Sequence, residues 1–279
     1  MTRKVLVFGL ALALWTVAAA LLNGQTFQQV PNATLSQISV GGFYQVWGLD
    51  ASGDVFHYNT QTGYFDELPV TLSQISAAAD GAVWGLDSNQ GIWRYDPLTS
   101  GFDKIGGLLT QISVGSTNNV WGVNASGQIY RFDPTYQSWD LLPGVLANIS
   151  VGTDGSVWGT NSSQQVYYFG PATQRFTNVP GTLTQLSVGY GGAVWGLDSS
   201  QNVWQLDTAS QTFVQVPGNL TQIAVGSAGV VVGVNASQQI YQYVSGAWTQ
   251  LPGALVTVAA GADGSIWGIN AANQVYVFQ

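Results

Sequence analysis

A Trp-Gly pair recurs along the chain at a fixed interval, and no other feature constrains the fold as tightly. Trp47-Gly48, Trp84-Gly85, Trp121-Gly122, Trp158-Gly159 and Trp195-Gly196 follow one another in 37-residue steps. Val232-Gly233 continues at the same 37-residue step, and Trp267-Gly268 closes the series after 35. A second marker, an aromatic followed by aliphatics and usually a proline, recurs at Phe27, Phe65, Phe102, Trp139, Phe176, Phe213 and Trp248. Two markers that agree on seven copies define one supersecondary unit written seven times, which buries its apolar surface by stacking on its neighbours. Two residues are missing between Tyr243 and Trp248, and one extra lies between Phe27 and Ile38. Both changes are expected in connections, where length costs little.

Each unit contains four short β-like runs. In the third they are Gln111–Val114, Val120–Asn124, Gln128–Phe132 and Ser138–Leu142. Turn residues separate them: Gly115-Ser-Thr-Asn-Asn119, Asn124-Ala-Ser-Gly127, Asp133-Pro-Thr135 and Pro143-Gly144. β-branched and aromatic residues fill the runs, as a pleated surface prefers. In Val120-Trp-Gly-Val and Ile129-Tyr-Arg-Phe, neighbouring large residues point to opposite faces. A sheet apolar on both faces must be covered on both. Four-stranded units stacked face to face around an axis achieve this, so the expected fold is all-β, a seven-bladed β-propeller of four-stranded antiparallel blades. The body begins with a fourth-type strand, Thr26–Pro31, and ends with a third-type strand, Gln274–Gln279. Neither makes a sheet alone. The N-terminal strand is therefore expected to complete the last blade and so remove two open edges.

The residues outside this body read as an export signal. Arg3 and Lys4 precede an uncharged, mostly apolar run, Val5–Leu22, with small residues at Ala18, Ala20 and Gly24 near its end. The expected organisation is a secretory signal peptide over 1–24, or an uncleaved anchor, followed by a single propeller over 25–279. The expected location is secreted, periplasmic or cell-surface. No Cys is present, so packing alone must stabilise the exported chain.

The units Ile112-Ser-Val-Gly and Val120-Trp-Gly-Val-Asn-Ala-Ser-Gly-Gln-Ile-Tyr-Arg131 closely resemble the tectonin repeat, over roughly Thr26–Gln279. That repeat builds the tectonin β-propeller lectins of the tachylectin-1 and fish-egg lectin type. The resemblance implies recognition of glycans or cell-surface polysaccharide at several equivalent sites. Two departures stand out: family propellers are commonly six-bladed, and the sixth copy here carries Val232 in place of the motif Trp.

Composition excludes several other classes. Only four cations, Arg94, Lys104, Arg131 and Arg175, lie beyond the N-terminal segment, too few for a nucleic-acid or anionic-membrane footprint. The single His57 and single Glu67 leave no Ser-His-Asp constellation and no pair of tuned acid–base groups. Thr153-Asp-Gly-Ser-Val-Trp158 and Ala262-Asp-Gly-Ser-Ile-Trp267 are also similar to repeats of the streptogramin B lyase type. That family relies on His and Glu around a magnesium ion, and this chain has one of each. The expectation is a non-enzymatic protein without catalytic residues, metal or cofactor. The alternative is a structural or protein-interaction propeller at the cell surface.

Candidate residues sort by position. The motif tryptophans Trp47, Trp84, Trp121, Trp158, Trp195 and Trp267 sit mid-strand and are expected to wedge between blades. Loop residues that break the repeat are the candidate carbohydrate contacts: Phe43, Tyr44, Asn118, Asn119, Tyr136 and Tyr190. Asp50, Asp87, Asn124, Asn161, Asp198, Asn235 and Asn270 open the turn after each second strand, and Asx turns are their expected role. Asp80-Gly81, Asp154-Gly155 and Asp263-Gly264 read as hairpin turns.

Overall fold

A computed structural model describes residues 24–227 and 229–279. The expected signal segment, 1–24, lies almost wholly outside the described residues. The remainder forms 28 strands in seven antiparallel four-stranded sheets, as the repeat count requires. Blade 1 runs β2 (Gln37–Gly42), β3 (Gln45–Leu49), β4 (Asp54–Asn59) and β5 (Tyr64–Thr71). Blades 2 to 6 repeat this meander over residues 74–108, 111–145, 148–182, 185–219 and 222–254. Blade 7 has β26 (Thr257–Ala260), β27 (Ile266–Ile269) and β28 (Gln274–Phe278), and β1 (Phe27–Thr34) pairs with β28 as its outermost strand. The chain ends therefore meet: the Thr26 amide donates to the Gln279 carbonyl at 2.7 Å.

The fourth strand is longer than the sequence suggests. In blade 3 it spans Ser138–Val145, straight through Pro143-Gly144, which had the look of a break. The register shifts by a bulge between Gln128 and Ile129 at this point. A proline on an outermost strand forfeits no ladder bond, so it is tolerated there. The extra residue near the N-terminus is absorbed in the same bulge of β1, between Gln29 and Thr34, rather than in a connection.

Blades pack through both faces. At the seam between blades 1 and 2, Trp47, Leu49 and Val55 of the first meet Leu72, Ile75, Ala77 and Val83 of the second. The six motif tryptophans are at most 3% exposed. Each reaches aromatics of the following blade: Trp47 meets Tyr95 and Phe102, Trp84 meets Phe132 and Trp139, and Trp121 meets Phe169 and Phe176. Burying one aromatic side chain removes roughly 150–250 Å2 from water, about 4–6 kcal/mol as an upper bound. Val232 fills the same place in blade 6, packed with Phe27 and Phe278 of blade 7. The glycine of each Trp-Gly pair answers to close approach: a Cβ on Gly122 would press into the Leu109 side chain and lie 2.7 Å from the Gln111 carbonyl.

The first strand of each blade lines the axis, and side chains tie these inner strands together. The Ile75 amide donates to Gln37 Oε1 (3.0 Å) and the Ala77 amide to Ser39 Oγ (2.9 Å). Gln74 grips Ile112 by both ends, accepting from its amide (3.0 Å) and donating to its carbonyl (3.3 Å). Each glutamine stands in for a missing neighbouring strand on an otherwise unpaired edge.

Candidate functional site

Because every blade is an antiparallel meander, its first–second and third–fourth hairpins share one rim. The second–third hairpin and the link to the next blade share the other. The two rims are built differently.

The second–third hairpins are nearly identical. Asp87 Oδ1 accepts from the amides of Asn89 (2.9 Å) and Gly91 (2.8 Å), and Asn161 Oδ1 accepts from Ser163 (3.0 Å) and Gln165 (2.9 Å). The same pattern holds at Asp50, Asn124, Asp198, Asn235 and Asn270, so these residues do form Asx turns. The second atom of each Asx head is left over, and in several blades it reaches an aromatic on the third strand. Asp87 Oδ2 accepts from Trp93 Nε1 (2.9 Å) and Asp198 Oδ2 from Trp204 Nε1 (3.0 Å). Asn161 and Asn270 approach the hydroxyls of Tyr167 and Tyr276 at 3.4 Å. Phe56, Tyr130 and Tyr241 occupy the same position, opposite the Trp-Gly glycine. All seven rings are half-buried.

Two of these rings, Trp93 and Tyr241, line outer grooves between consecutive blades, each walled by the fourth strand of the preceding blade. The groove at the seam of blades 5 and 6 has a cavity of about 490 Å3, lined by Pro217, Gly218, Asn219, Asn235, Tyr241 and Trp248 among others. At the seam of blades 1 and 2 the cavity is about 350 Å3, lined by Leu68, Pro69, Val70, Asp87, Asn89 and Trp93 among others. Trp248 Nε1 is buried beneath Gly218 without a hydrogen-bond partner. In the second, Lys104 Nζ lies 5.5 Å from the Trp93 ring centre and 4.0 Å from Asp87 Oδ2.

The electrostatics follow from these bonds. The Trp93 indole N–H holds the Asp87 carboxyl below the ordinary aspartate value; partial burial opposes it, and the Gly91 and Asn89 amides and Lys104 add to it. At Asp198 burial pushes the carboxyl up, but bonds from the Asn202 side chain, Trp204 and two amides outweigh it and bring it down. Both are therefore fixed acceptors at neutral pH. An aromatic face beside a fixed acceptor can stack on an apolar ring face and accept a hydrogen bond from a hydroxyl.

The opposite rim carries the loop residues singled out from sequence. Tyr44, Tyr136 and Tyr190 are 71%, 78% and 57% exposed. Phe43 instead turns inward, its ring 6.0 Å from those of Tyr58 and Trp267. Asn118 is exposed, whereas Asn119 Oδ1 accepts from Trp121 Nε1 at 2.7 Å. These six belong to blades 1, 3 and 5, and none lines either groove cavity described above. The groove aromatics are not among the sequence-based candidates; the available signal is an aromatic directly before His57, Arg94, Arg131 and Tyr168 in successive units. The hairpin aspartates of this rim do more than turn the chain. Asp80 Oδ2 accepts from Thr117, Asp154 Oδ2 from Gly192 and Asp263 Oδ2 from Phe43, each at 2.7 Å and each in the next blade.

His57 is the lid of Trp47, stacked at 4.0 Å between centroids and 14° between planes. Arg94 and Arg131 hold the same position over Trp84 and Trp121. Burial pulls the His57 pKa down, opposed by a backbone hydrogen bond to Tyr44 and by Asp66. Among the described residues no cluster of three His, Cys, Asp or Glu could hold a metal ion, and no helix is long and apolar enough to cross a membrane.

Seven four-stranded antiparallel blades, the last completed by the N-terminal strand, define a β-propeller. The tectonin domain model matches residues 20–138, 132–212 and 192–279, and the chain belongs to the tectonin family. No curated protein gave a sequence match. Among solved structures it is similar to YCF48 from Cyanidioschyzon merolae, with 12% identity and a TM-score of 0.67 over 91% of this chain and 98% of that one. YCF48 bound to D1 peptide matches at 13% and 0.67, over 92% and 95%. The Myceliophteria thermophila Cps50 (Swd1) β-propeller domain matches at 8% and 0.72, over 91% and 99%. At such identities the likeness is one of fold.

Proposed function

We propose that the protein is an exported, non-enzymatic lectin-like propeller that binds glycans through its outer grooves. The observation that carries this reading is the half-buried aromatic repeated in every blade, its polar edge tied to an Asx or Gln side chain in most of them. Stacking on a pyranose needs such a face, and the fixed polar heads beside it suit hydroxyls. A single shallow groove binds weakly; several on one ring gain avidity on a repeating polysaccharide. The residues that would take part are Trp93, Trp204 and Tyr241 with Asp87, Asp198 and Asn235. The apolar run Val5–Leu22 behind Arg3 and Lys4 supports the export reading.

A glycan array followed by calorimetry tests the binding. Saturable, polyvalent binding that weakens in Trp93→Ala and Trp204→Ala is expected. Absence of binding to any array glycan and to monosaccharides at about millimolar concentration, where single shallow sites operate, overturns the reading. Fractionation of the native host tests export, which a purely cytosolic protein contradicts.

A protein partner is the second reading, favoured by exposed apolar side chains on the other rim, Tyr44, Leu98, Tyr136 and Tyr190. The similarity to a propeller described as bound to D1 peptide is compatible with it. Loss of partner capture in a Tyr136→Ser, Tyr190→Ser double variant, with glycan binding absent, would select this alternative.

A further inference from the structure

The ring of side-chain clasps around the axis is broken at the seam of blades 4 and 5. Glutamine clasps join the inner strands at five seams, from Gln37 to Ile75, Gln74 to Ile112, Gln111 to Ile149, Gln185 to Ile223 and Gln222 to Val258. Blade 4 carries Asn148 where these have glutamine. One methylene shorter, its side chain turns into its own blade and donates to Thr160 Oγ1 (3.2 Å). The amide of Leu186, which repeats the positions of Ile75 and Ile223, receives no side-chain acceptor. Ser150 likewise makes no counterpart of the bonds from Val114 to Ser76 and from Val225 to Ser187. Leu186 is half-buried, whereas Ile75, Ile112, Ile149 and Ile223 are all below 5% exposed.

A cavity of about 230 Å3 opens at this place, lined by Gln111, Asn148, Ser150, Thr184, Gln185 and Leu186 among others. We propose that it is a binding site for a primary carboxamide, seated as the absent glutamine head would be. Its oxygen accepts from the Leu186 amide and its NH2 donates to the Leu186 carbonyl, the two-pronged grip that Gln74 and Gln222 make on Ile112 and Val258. Ser150 Oγ and Asn148 Oδ1 offer further polar contacts. This site is separate from the outer grooves and does not depend on them. The seam of blades 7 and 1 also lacks a glutamine, having Thr257, but Ile38 there is only 8% exposed. It serves as an internal control.

The test is titration of the full-length folded protein with propionamide and with the peptide Gly-Gln-Gly, followed through backbone amide resonances. Saturable shifts at Leu186 and Val188 in the millimolar range are expected. Tighter binding of the peptide identifies a glutamine side chain as the source, and equal binding a free amide. Asn148→Gln should clasp this seam, slow hydrogen exchange at Leu186 and weaken both ligands about tenfold, the loss of roughly one to two net hydrogen bonds. Linear, unsaturable shifts, equal shifts at Leu186 and Ile38, or unchanged affinity in Asn148→Gln would each overturn the proposal. So would exchange at Leu186 in the free protein as slow as at Ile149.

Discussion

Two tryptophans face the same seam between blades 1 and 2 and lead different lives. Trp47 is fully buried, covered by His57 and wedged against Tyr95 and Phe102. Trp93 enters the seam from the other blade, farther from the axis. It stays half-buried, with its indole N–H fixed on Asp87 and Lys104 over its ring. Residue type alone does not separate a sealed aromatic from a half-buried one. Distance from the axis does, because consecutive blades diverge outward and leave the outer ring a wet face.

The largest expected effect breaks the comparison on the sealed side. Trp47→Ala should destabilise by about 3–5 kcal/mol in denaturant unfolding; a cost below about 1 kcal/mol, the scale of surface changes, would mean that the seam is not wedged there. Asp87→Ala removes the acceptor for two amides and an indole and should cost about 1–3 kcal/mol. It should also shift Trp93 fluorescence and weaken glycan binding. Trp93→Ala should cost only about 1–2 kcal/mol, near the centre of the mutational range, yet lose the groove 1/2 contribution to glycan binding. Equal stability losses in Trp47→Ala and Trp93→Ala would erase the distinction.

A smaller effect concerns the lid on Trp47. Burial lowers the folded-state pKa of His57, so the unfolded chain takes up its proton more readily. Stability is then fully present above the unfolded value of about 6.5 and is lost as pH falls toward the lowered folded value. As this is the only histidine, His57→Phe should flatten the stability profile over that window. A wild-type profile already flat below pH 6.5 would contradict the burial of this lid. Smallest of all, Tyr136→Ser on the opposite rim should change stability by no more than about 0.5 kcal/mol, the range for exposed positions.

The fold was legible because repetition leaves few options: a unit apolar on both faces must stack on both, and seven copies whose first and last strands are fragments must close into a ring. The site was legible only in part. Phe43 is a loop aromatic by sequence, but a hydrogen bond from its amide to Asp263, 220 positions away, holds it where its ring meets Trp267. Trp93 and Trp204 are not among the candidates the sequence singles out, and only the divergence of blades leaves them half-buried. Asn148 is one methylene short of its glutamine counterparts, and only the assembled ring shows that this leaves Leu186 without a clasp.

From the amino-acid order alone came the unit, its copy number, the turn roles of the Asx residues and the joining of both chain ends in one blade. These depend on local hydrogen bonding and on apolar pattern, which neighbouring residues determine. Tertiary structure decided which aromatics stay wet, which aspartates bridge blades and where the inner ring gapes. Those depend on how far apart two separately folded blades come to rest, a spacing set by side chains that meet only when the ring has closed.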